Sequence, residues 1–128
     1  MNRINIILII CIIIFFIYFF IVPIKSSNKK NNTEIKNNKL VVYYAPWCRY
    51  SIEFLEEWNK NLLPAVKNAS DINTKVIFEA INCDENKEIC NKIEGYPTII
   101  LYTSDGNVNE YTGERTTEEI LKYVRGYL

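Results

Sequence analysis

The chain has 128 residues, of which 48% are hydrophobic and 23% charged, which suffices for one compact domain and little more. Its 15 basic and 15 acidic residues cancel, so the overall charge gives no indication of nucleic-acid binding. The sequence contains no histidine, which excludes Ser-His-Asp and Cys-His catalysis and any zinc site that needs imidazole.

The chain begins with an apolar run that has no polar face. From Ile4 to Ile24 only Asn5 and Pro23 interrupt the apolar residues. A helix of this length spans about 31 Å, enough to cross a bilayer. The alternative is a cleaved signal peptide, which has a shorter apolar centre followed by a cleavage site made of small residues. The sequence therefore predicts a transmembrane signal anchor over residues 1–24, with the lipid bilayer as the partner of residues 4–24.

Residues 25–39 are rich in Asn and Lys and are predicted to form a polar, flexible stalk. The two indications of membrane orientation conflict. Five lysines follow the span and only Arg3 precedes it, which by the positive-inside rule leaves the following residues in the cytosol. Glycosylation sequons at Asn31 and Asn68 would instead be used on the lumenal side.

Residues 40–128 alternate strand and helix patterns and are predicted to form one α/β domain. The predicted strands are Leu40–Tyr44, Lys75–Ile81, Thr98–Thr103 and Val108–Tyr111. The predicted helices are Tyr50–Asn68, Glu85–Ile93 and a last one that ends at Tyr127. The order is βαβαββα, which predicts parallel pairing of the first strands through right-handed crossovers and a hairpin of the last two.

Single residues mark the ends of the predicted helices. Pro64 is expected to kink or end the first apolar stripe because proline has no N–H to donate. Asp84 is expected to cap the second helix, and Thr116 or Thr117 the last. Within the first helix, Trp58 is predicted to lie in the core.

Cys48 lies where the first strand turns into a helix, in the segment Ala45-Pro46-Trp47-Cys48-Arg49-Tyr50-Ser51. Unpaired backbone N–H groups and the helix dipole favour a thiolate at this position, and Arg49 adds a neighbouring cation. Such surroundings lower a cysteine pKa from about 8.5 into roughly the 3.5–7.5 range. Cys48 is therefore a candidate nucleophile toward disulfides, the alternative being a buried, inert cysteine.

Four motifs occur in the order found in one known family. The active-site segment F-Y-A-P-W-C of that family is similar to Leu40–Ser51 (LVVYYAPWCRYS). Its D-C…C segment is similar to Asn82–Cys90, and its G-Y-P-T motif to Gly95–Thr98. Its Y-x-G-x-R-T turn is similar to Tyr111–Thr116. The chain thus resembles the protein disulfide isomerase branch of the thioredoxin superfamily. The resemblance implies a thioredoxin-like fold, with a central mixed four-stranded sheet flanked by helices. The family usually has a further strand and helix before the first strand seen here, and only a short segment is available for them. We therefore expect the fold to be trimmed at its N-terminus and the Lys75–Ile81 strand to be an uncovered edge.

The chain departs from the family at the redox pair. Ser51 stands where the C-x-x-C motif has its second cysteine, and Val42 stands where the family has a buried carboxylate. A hydroxyl cannot attack or leave in thiol–disulfide exchange, so Cys48 is expected to form mixed disulfides that persist until another thiol arrives. The C-R-Y-S string also resembles the C-R-F-S motif of a client-retaining member of this branch.

The resemblance also implies the residues of the site. The expected catalytic residues are Cys48 as nucleophile and Ser51 as its hydrogen-bonding neighbour, and the expected client-binding residues are Trp47, Arg49, Tyr96 and Pro97, with Pro97 cis. Arg115 matches a family arginine that tunes the second thiol, and we interpret it here as structural.

Cys83 and Cys90 are seven residues apart, a spacing that allows either a disulfide or two buried thiols. With too few ligands and no histidine, no metal is expected, and no cofactor either.

These observations leave two main hypotheses. The first is a membrane-anchored protein that performs thiol–disulfide exchange through Cys48 on client proteins with free cysteines or disulfides, its domain in the lumen of the endoplasmic reticulum or secretory pathway. The second is a non-catalytic binding or client-retention module that uses the same groove. A structural membrane component that keeps a decayed redox fold is a third.

Overall fold

A computed structural model describes residues 37–128. The predicted anchor and residues 25–36 of the predicted stalk lie outside these residues. Within 37–128, no helix is long and apolar enough to cross a membrane.

Four strands form one mixed sheet in the order β2-β1-β3-β4. They are β1 (Asn38–Tyr44), β2 (Val76–Asn82), β3 (Thr98–Tyr102) and β4 (Val108–Tyr111). The first two strands pair parallel, and the β1–β3 and β3–β4 pairs are antiparallel. The predicted mixed four-stranded sheet, with its parallel first pair and final hairpin, is confirmed. Among residues 37–128, β2 is an edge strand, as expected.

The sheet begins two residues earlier than predicted. Asn38 donates its backbone N–H to the Lys75 carbonyl at 3.0 Å and its side-chain amide to the Tyr127 carbonyl at 3.1 Å. Its Oδ1 accepts the Ser104 N–H at 2.9 Å. These long-range bonds recruit Asn38 and Lys39 into β1, although their polar side chains gave the sequence pattern of a stalk.

One long helical arm connects β1 to β2. It consists of α1 (Arg49–Glu57), a π-helical segment (Trp58–Leu62), α2 (Leu63–Asn68) and the short α3 (Ser70–Asn73). Pro64 does not end the helix, which continues to Asn68. The wider π-helical turn immediately precedes Pro64, and in it the Leu63 N–H donates five residues back to the Trp58 carbonyl.

The predicted helix over Glu85–Ile93 is wrong, because residues 83–94 form a chain of turns. A disulfide joins Cys90, inside the predicted helix, to Cys83, which precedes it, and holds their Cα atoms 5.6 Å apart. Asp84 is not a helix cap, since its own N–H donates to Asn82 Oδ1 at 3.0 Å. The element order is therefore βαβββα rather than βαβαββα.

The last helix, α4 (Thr117–Arg125), begins as expected but ends two residues before the predicted Tyr127. Thr116 is its N-cap, and the Thr116 side chain accepts the Glu119 N–H. A second acceptor comes from the helical arm, because Glu57 Oε1 accepts both the backbone N–H of Thr117 at 3.1 Å and its hydroxyl at 2.6 Å. The helical arm and α4 are thus joined next to the start of α4.

The main core lies between one face of the sheet and the helices of the arm and α4, which pack on it together. The buried residues of this core come from the sheet and from the helices. Trp58, at 2% exposure, is one of them, as predicted. The largest of the others are Leu40, Leu62, Ile72, Ile99, Leu101 and Ile120. Val42, at the position of the family's carboxylate, is fully buried in the same apolar cluster. A second cluster on the opposite face of the sheet contains Val41, Tyr43, Cys83 and Cys90.

Candidate thiol site

Cys48 is the N-cap residue of α1, with extended backbone angles φ −83° and ψ 118°. Ala45 and Pro46 end β1, and the Cys48 N–H closes the following turn on the Ala45 carbonyl at 3.1 Å. The Cys48 carbonyl then accepts the first helical bond, from the Ile52 N–H. The thiol is half-buried, and Cys48 is the only unpaired cysteine in residues 37–128.

The helix N-terminus lowers the pKa of the Cys48 thiol from its ordinary value. The largest cause is a hydrogen bond from the backbone N–H of Ser51, and the Ser51 hydroxyl and the Tyr50 N–H add to it. Partial desolvation opposes the shift, and the positive charge of Arg115 supports it. These groups favour the thiolate, the reactive form of a cysteine.

The cation near the thiol is not the one expected from the sequence. Arg49 is directed away along the helix, where its Nε donates to Glu53 Oε1 at 2.8 Å and its side chain is 87% exposed. Arg115, distant in sequence, supplies the charge instead. The expected contribution of Arg49 to thiolate stability is therefore wrong, and its expected contact with clients remains a prediction.

Ser51 is fully buried on the first turn of α1. Its Oγ accepts the Ala45 N–H at 3.3 Å, which ties the helix to the end of β1. Its hydroxyl and backbone N–H also lower the pKa of the Cys48 thiol. Ser51 thus lies three residues after Cys48 with a hydroxyl that can form hydrogen bonds but cannot exchange disulfides.

The loop before β3 faces Cys48. The Tyr96–Pro97 peptide bond is cis, and the Cys48 Sγ donates to the Tyr96 carbonyl at 3.4 Å. Arg115 Nη2 donates to the Pro97 carbonyl at 3.0 Å, so Arg115 supports this loop as well as the thiolate. A cavity of about 370 Å³ lies beside the loop, between residues 95–98 and 110–112, with Arg115 in its wall.

Two aromatic residues that lie close to Cys48 in the chain are exposed. Trp47 is 70% exposed and Tyr50 67% exposed. The Trp47 ring lies edge-on to Tyr96, with ring centroids 6.0 Å apart and planes at 90°. The Trp47 Nε1 donates to Asp84 Oδ1 at 3.2 Å.

The two remaining cysteines of this region, Cys83 and Cys90, are bonded to each other and buried. The Cys83 N–H donates to the Tyr44 carbonyl at 2.9 Å, which fixes this loop to the end of β1 beside the site. Between residues 37 and 128, no three His, Cys, Asp or Glu side chains are grouped so that they could hold a metal ion.

Sequence reasoning missed Asp84 as part of the site and assigned Arg115 a structural part alone. Asp84 meets Trp47 across 37 residues and Arg115 meets Pro97 across 18, so neither contact leaves a local pattern in the sequence. The only available signal was the position of both residues inside the motifs that resemble the family.

Comparison with known proteins gives a consistent result. Residues 22–126 match the thioredoxin family model. The chain is 30% identical over 90 residues to a thioredoxin domain-containing protein 5 homolog of Drosophila melanogaster, covering 69% of this chain and 21% of the relative. It is 35% identical over 88 residues to protein disulfide isomerase-like 2-1 of Oryza sativa subsp. japonica, covering 66% of this chain and 23% of the relative. The chain thus spans less than a quarter of the length of these relatives.

Solved structures show the same likeness. The zinc-bound form of human ERp44 superposes with a TM-score of 0.63 at 27% identity, covering 73% of this chain and 27% of that one. The first thioredoxin domain of mouse protein disulfide-isomerase A4 gives a TM-score of 0.59 at 31% identity, covering 71% of this chain and 63% of that one.

Proposed function

We propose that this chain, a member of the thioredoxin family similar to protein disulfide isomerases, performs thiol–disulfide exchange with client proteins. The exchange uses a single cysteine. One observation carries the proposal. The half-buried Cys48 thiol has a lowered pKa and faces a cis-proline loop, while a buried serine occupies the position of a second thiol.

The first step is the attack of the Cys48 thiolate on a client disulfide. A bond forms between Cys48 Sγ and one client sulfur, the client disulfide breaks, and the other client sulfur leaves as a thiolate that takes a proton from water. No electrons are gained or lost overall. The Ser51 and Tyr50 N–H groups lower the pKa of the thiol and so favour the attacking thiolate.

A client with a free cysteine forms the mixed disulfide by a different reaction. Cys48 must then already be bonded to a low-molecular-weight thiol, and the client thiolate attacks the Cys48 sulfur and releases that small thiol. The product is the same mixed disulfide, with electrons again balanced.

The presence of Ser51 instead of a cysteine determines how the mixed disulfide is resolved. Its hydroxyl cannot attack the Cys48–client bond, so release waits for a thiolate of the client itself or of another molecule. Release by a second client cysteine rearranges client disulfides, whereas slow release keeps the client bound. The Tyr96–Pro97 loop and its cavity offer backbone groups and space to an extended client segment.

Retention is the second candidate function. The buried Ser51, bonded to Ala45, favours it because nothing in the site itself resolves the adduct. Under this alternative Cys48 holds clients without rearranging them.

The experiment that separates the two functions uses the full chain with Cys11→Ala, so that Cys48 is the sole free thiol if Cys83 and Cys90 stay bonded. The protein is incubated with a substrate carrying scrambled disulfides, and recovery of native substrate is measured beside a Cys48→Ala variant. Shuffling that requires Cys48 supports exchange, and client capture that requires Cys48 without shuffling supports retention. Equal results from both variants would contradict both functions.

We further propose that residues 4–24 anchor the protein in a membrane and that the domain faces the lumen of the secretory pathway. The length of the apolar run supports the anchor. A disulfide between Cys83 and Cys90 is typical of oxidising compartments, which supports the lumenal side against the lysine count.

A further inference from the structure

An exposed connection, residues 112–116, leads from β4 to α4 and carries Arg115. Arg115 Nη2 donates to the Pro97 carbonyl at 3.0 Å. The neighbouring Tyr96 carbonyl accepts the Cys48 Sγ–H at 3.4 Å. Whether Arg115 stays beside the cis-proline loop and the thiol therefore depends on how this exposed connection is held.

Tyr111, the last residue of β4, holds the connection on its β4 side. Its hydroxyl donates to the Glu114 carbonyl at 2.6 Å. Its ring is half-buried and packs on Tyr123 of α4, with ring centroids 4.8 Å apart. Burial and the negative charges of Glu119 and Glu114 raise the pKa of Tyr111, so its hydroxyl stays protonated and able to donate.

Residue 113 must be glycine for this contact to form. A Cβ atom on Gly113 would lie 2.6 Å from the Tyr111 hydroxyl oxygen and 2.8 Å from Tyr111 Cζ. Packed carbon atoms lie roughly 3.5–4.0 Å apart, so a side chain here would push the tyrosine ring and the connection away from each other. The requirement is one of space alone, because the φ of Gly113 is not positive.

The other side of the connection is held by the helix that carries Cys48. Glu57 of α1 accepts the N–H and the hydroxyl of Thr117, the first residue of α4. Arg115 therefore lies between two fixed points, the Tyr111 contact and the start of α4. The cavity beside the cis-proline loop has both Tyr111 and Arg115 in its wall, so the Tyr111 contact is the one that borders it.

We propose that Tyr111 is a positioning residue, which holds Arg115 against the cis-proline loop and keeps the wall of the adjoining cavity in place. The contact of Tyr111 with Gly113 and the Glu114 carbonyl forms a clasp, and the clasp acts on Cys48 through Arg115. Its effect on clients rests on the proposed exchange function, whereas its effect on Arg115 does not. A wall fixed before binding need not be ordered when an extended client segment binds, which lowers the cost of the complex.

The test uses the full chain with Cys11→Ala, kept in mild detergent, and opens the clasp in two ways. Tyr111→Phe removes the hydroxyl alone, and Gly113→Ala adds the Cβ atom that meets the ring. Tyr123→Phe is the matched control, because it removes a hydroxyl from the ring that packs on Tyr111. Two rates are measured for each variant, the alkylation of Cys48 by iodoacetamide across pH and the formation of a mixed disulfide with a short peptide disulfide.

Both clasp variants should raise the pKa of the Cys48 thiol and slow its alkylation at neutral pH, by at most the roughly twofold effect of a solvent-screened charge. The reaction with the peptide should slow further, about two- to tenfold, the range spanned by one hydrogen bond. Tyr123→Phe should change neither rate.

Two double-mutant comparisons test the route of the effect. Adding Tyr111→Phe to Arg115→Gln should shift the pH profile of alkylation no further, because the clasp acts on the thiol through Arg115. Adding Gly113→Ala to Tyr111→Leu should cost little, because leucine lacks the ring atoms that the new Cβ would meet. A merely structural effect of these variants would be additive in both comparisons.

A full additional shift in the Arg115→Gln background would overturn the inference, as would equal effects of Tyr111→Phe and Tyr123→Phe or an unchanged pH profile in the clasp variants. If Gly113→Ala does not fold, Tyr111→Phe decides alone. If the unsubstituted chain is alkylated but does not react with the peptide, the exchange function itself has failed, while the alkylation profiles still decide whether Tyr111 positions Arg115.

Discussion

The lowered pKa of Cys48 is due more to backbone N–H groups than to a neighbouring charge. Cys48 is the N-cap of α1, and the backbone N–H groups of Ser51 and Tyr50 in the first turn lower the pKa of its thiol. The sequence was sufficient to predict this part, since the strand-to-helix junction is visible in the pattern. The pairing of Arg49 with Glu53, and the approach of Arg115 from another element, depend on side-chain placement in three dimensions and could not be predicted from the sequence.

The two arginines make a matched pair for testing this account. Arg115→Gln should raise the pKa of Cys48 and lower its alkylation rate at neutral pH about twofold, because a solvent-screened charge contributes only a few tenths of a kcal/mol. Arg49→Gln should leave the rate unchanged, since Arg49 is paired with Glu53 and directed away from the sulfur. The check is the rate of iodoacetamide alkylation across pH. The reverse ranking of the two variants would show that the adjacent cation controls the thiol.

Under the proposed function, we expect Ser51 to set the lifetime of the mixed disulfide, because its hydroxyl cannot resolve that bond. Ser51→Cys places a thiol where the hydroxyl now lies, and that thiol can attack the Cys48–client bond and release the client, leaving a disulfide between Cys48 and the introduced sulfur. We expect the mixed disulfide to become transient and the variant to acquire net dithiol oxidoreductase activity, measured by insulin reduction with a dithiol donor. An adduct equally persistent in Ser51→Cys would mean that release is limited by something other than the missing thiol.

At the scale of elements, the strands could be predicted and the loop after β2 could not. Runs of β-branched and aromatic residues such as Leu40–Tyr44 identify strands because the same residues are buried in the sheet. The segment over Glu85–Ile93 has helix-forming residues, but the bond between Cys83 and Cys90 and the Asn82 side chain organise it as turns. Local propensity does not include such constraints.

Glu57 joins two elements and gives a stability prediction. Its Oε1 accepts the N–H and hydroxyl of Thr117 at the start of α4, so Glu57→Ala should destabilise the domain by about 1 kcal/mol at pH 7. Glu56→Ala is the control and should cost less, because Glu56 is exposed and contacts Lys60 on its own helix. Urea unfolding of the two variants measures both values.

The pH dependence of the Glu57 effect has a defined sign. Hydrogen bonds from Thr117 and Asn61 lower the pKa of Glu57 below its ordinary value of 4.5. The stabilisation is therefore present above that ordinary value and is lost as the pH falls through the folded-state pKa. The difference between Glu57→Ala and the unsubstituted chain should shrink on acidification, and a difference that grows there would contradict the role of the carboxylate.

At the scale of the whole molecule, we propose a membrane anchor, a stalk and one thiol domain. Its membrane orientation can be tested because Asn68, in the sequon at residues 68–70, is exposed at the end of α2. In eukaryotic cells we expect an endoglycosidase to increase the gel mobility of the full chain, and Asn31→Gln with Asn68→Gln to abolish that shift. An absent shift together with protease access from the cytosolic side would contradict the lumenal orientation.

The most direct test of the central claim is to locate the adduct itself. The full chain with Cys11→Ala is mixed with a peptide disulfide, quenched in acid, and analysed by intact mass and fragment mass spectrometry. The account predicts one peptide bonded to Cys48, persistent until a thiol is added and absent from Cys48→Ala. An unmodified Cys48 under conditions where iodoacetamide alkylates it, or an adduct retained in Cys48→Ala, would contradict the account.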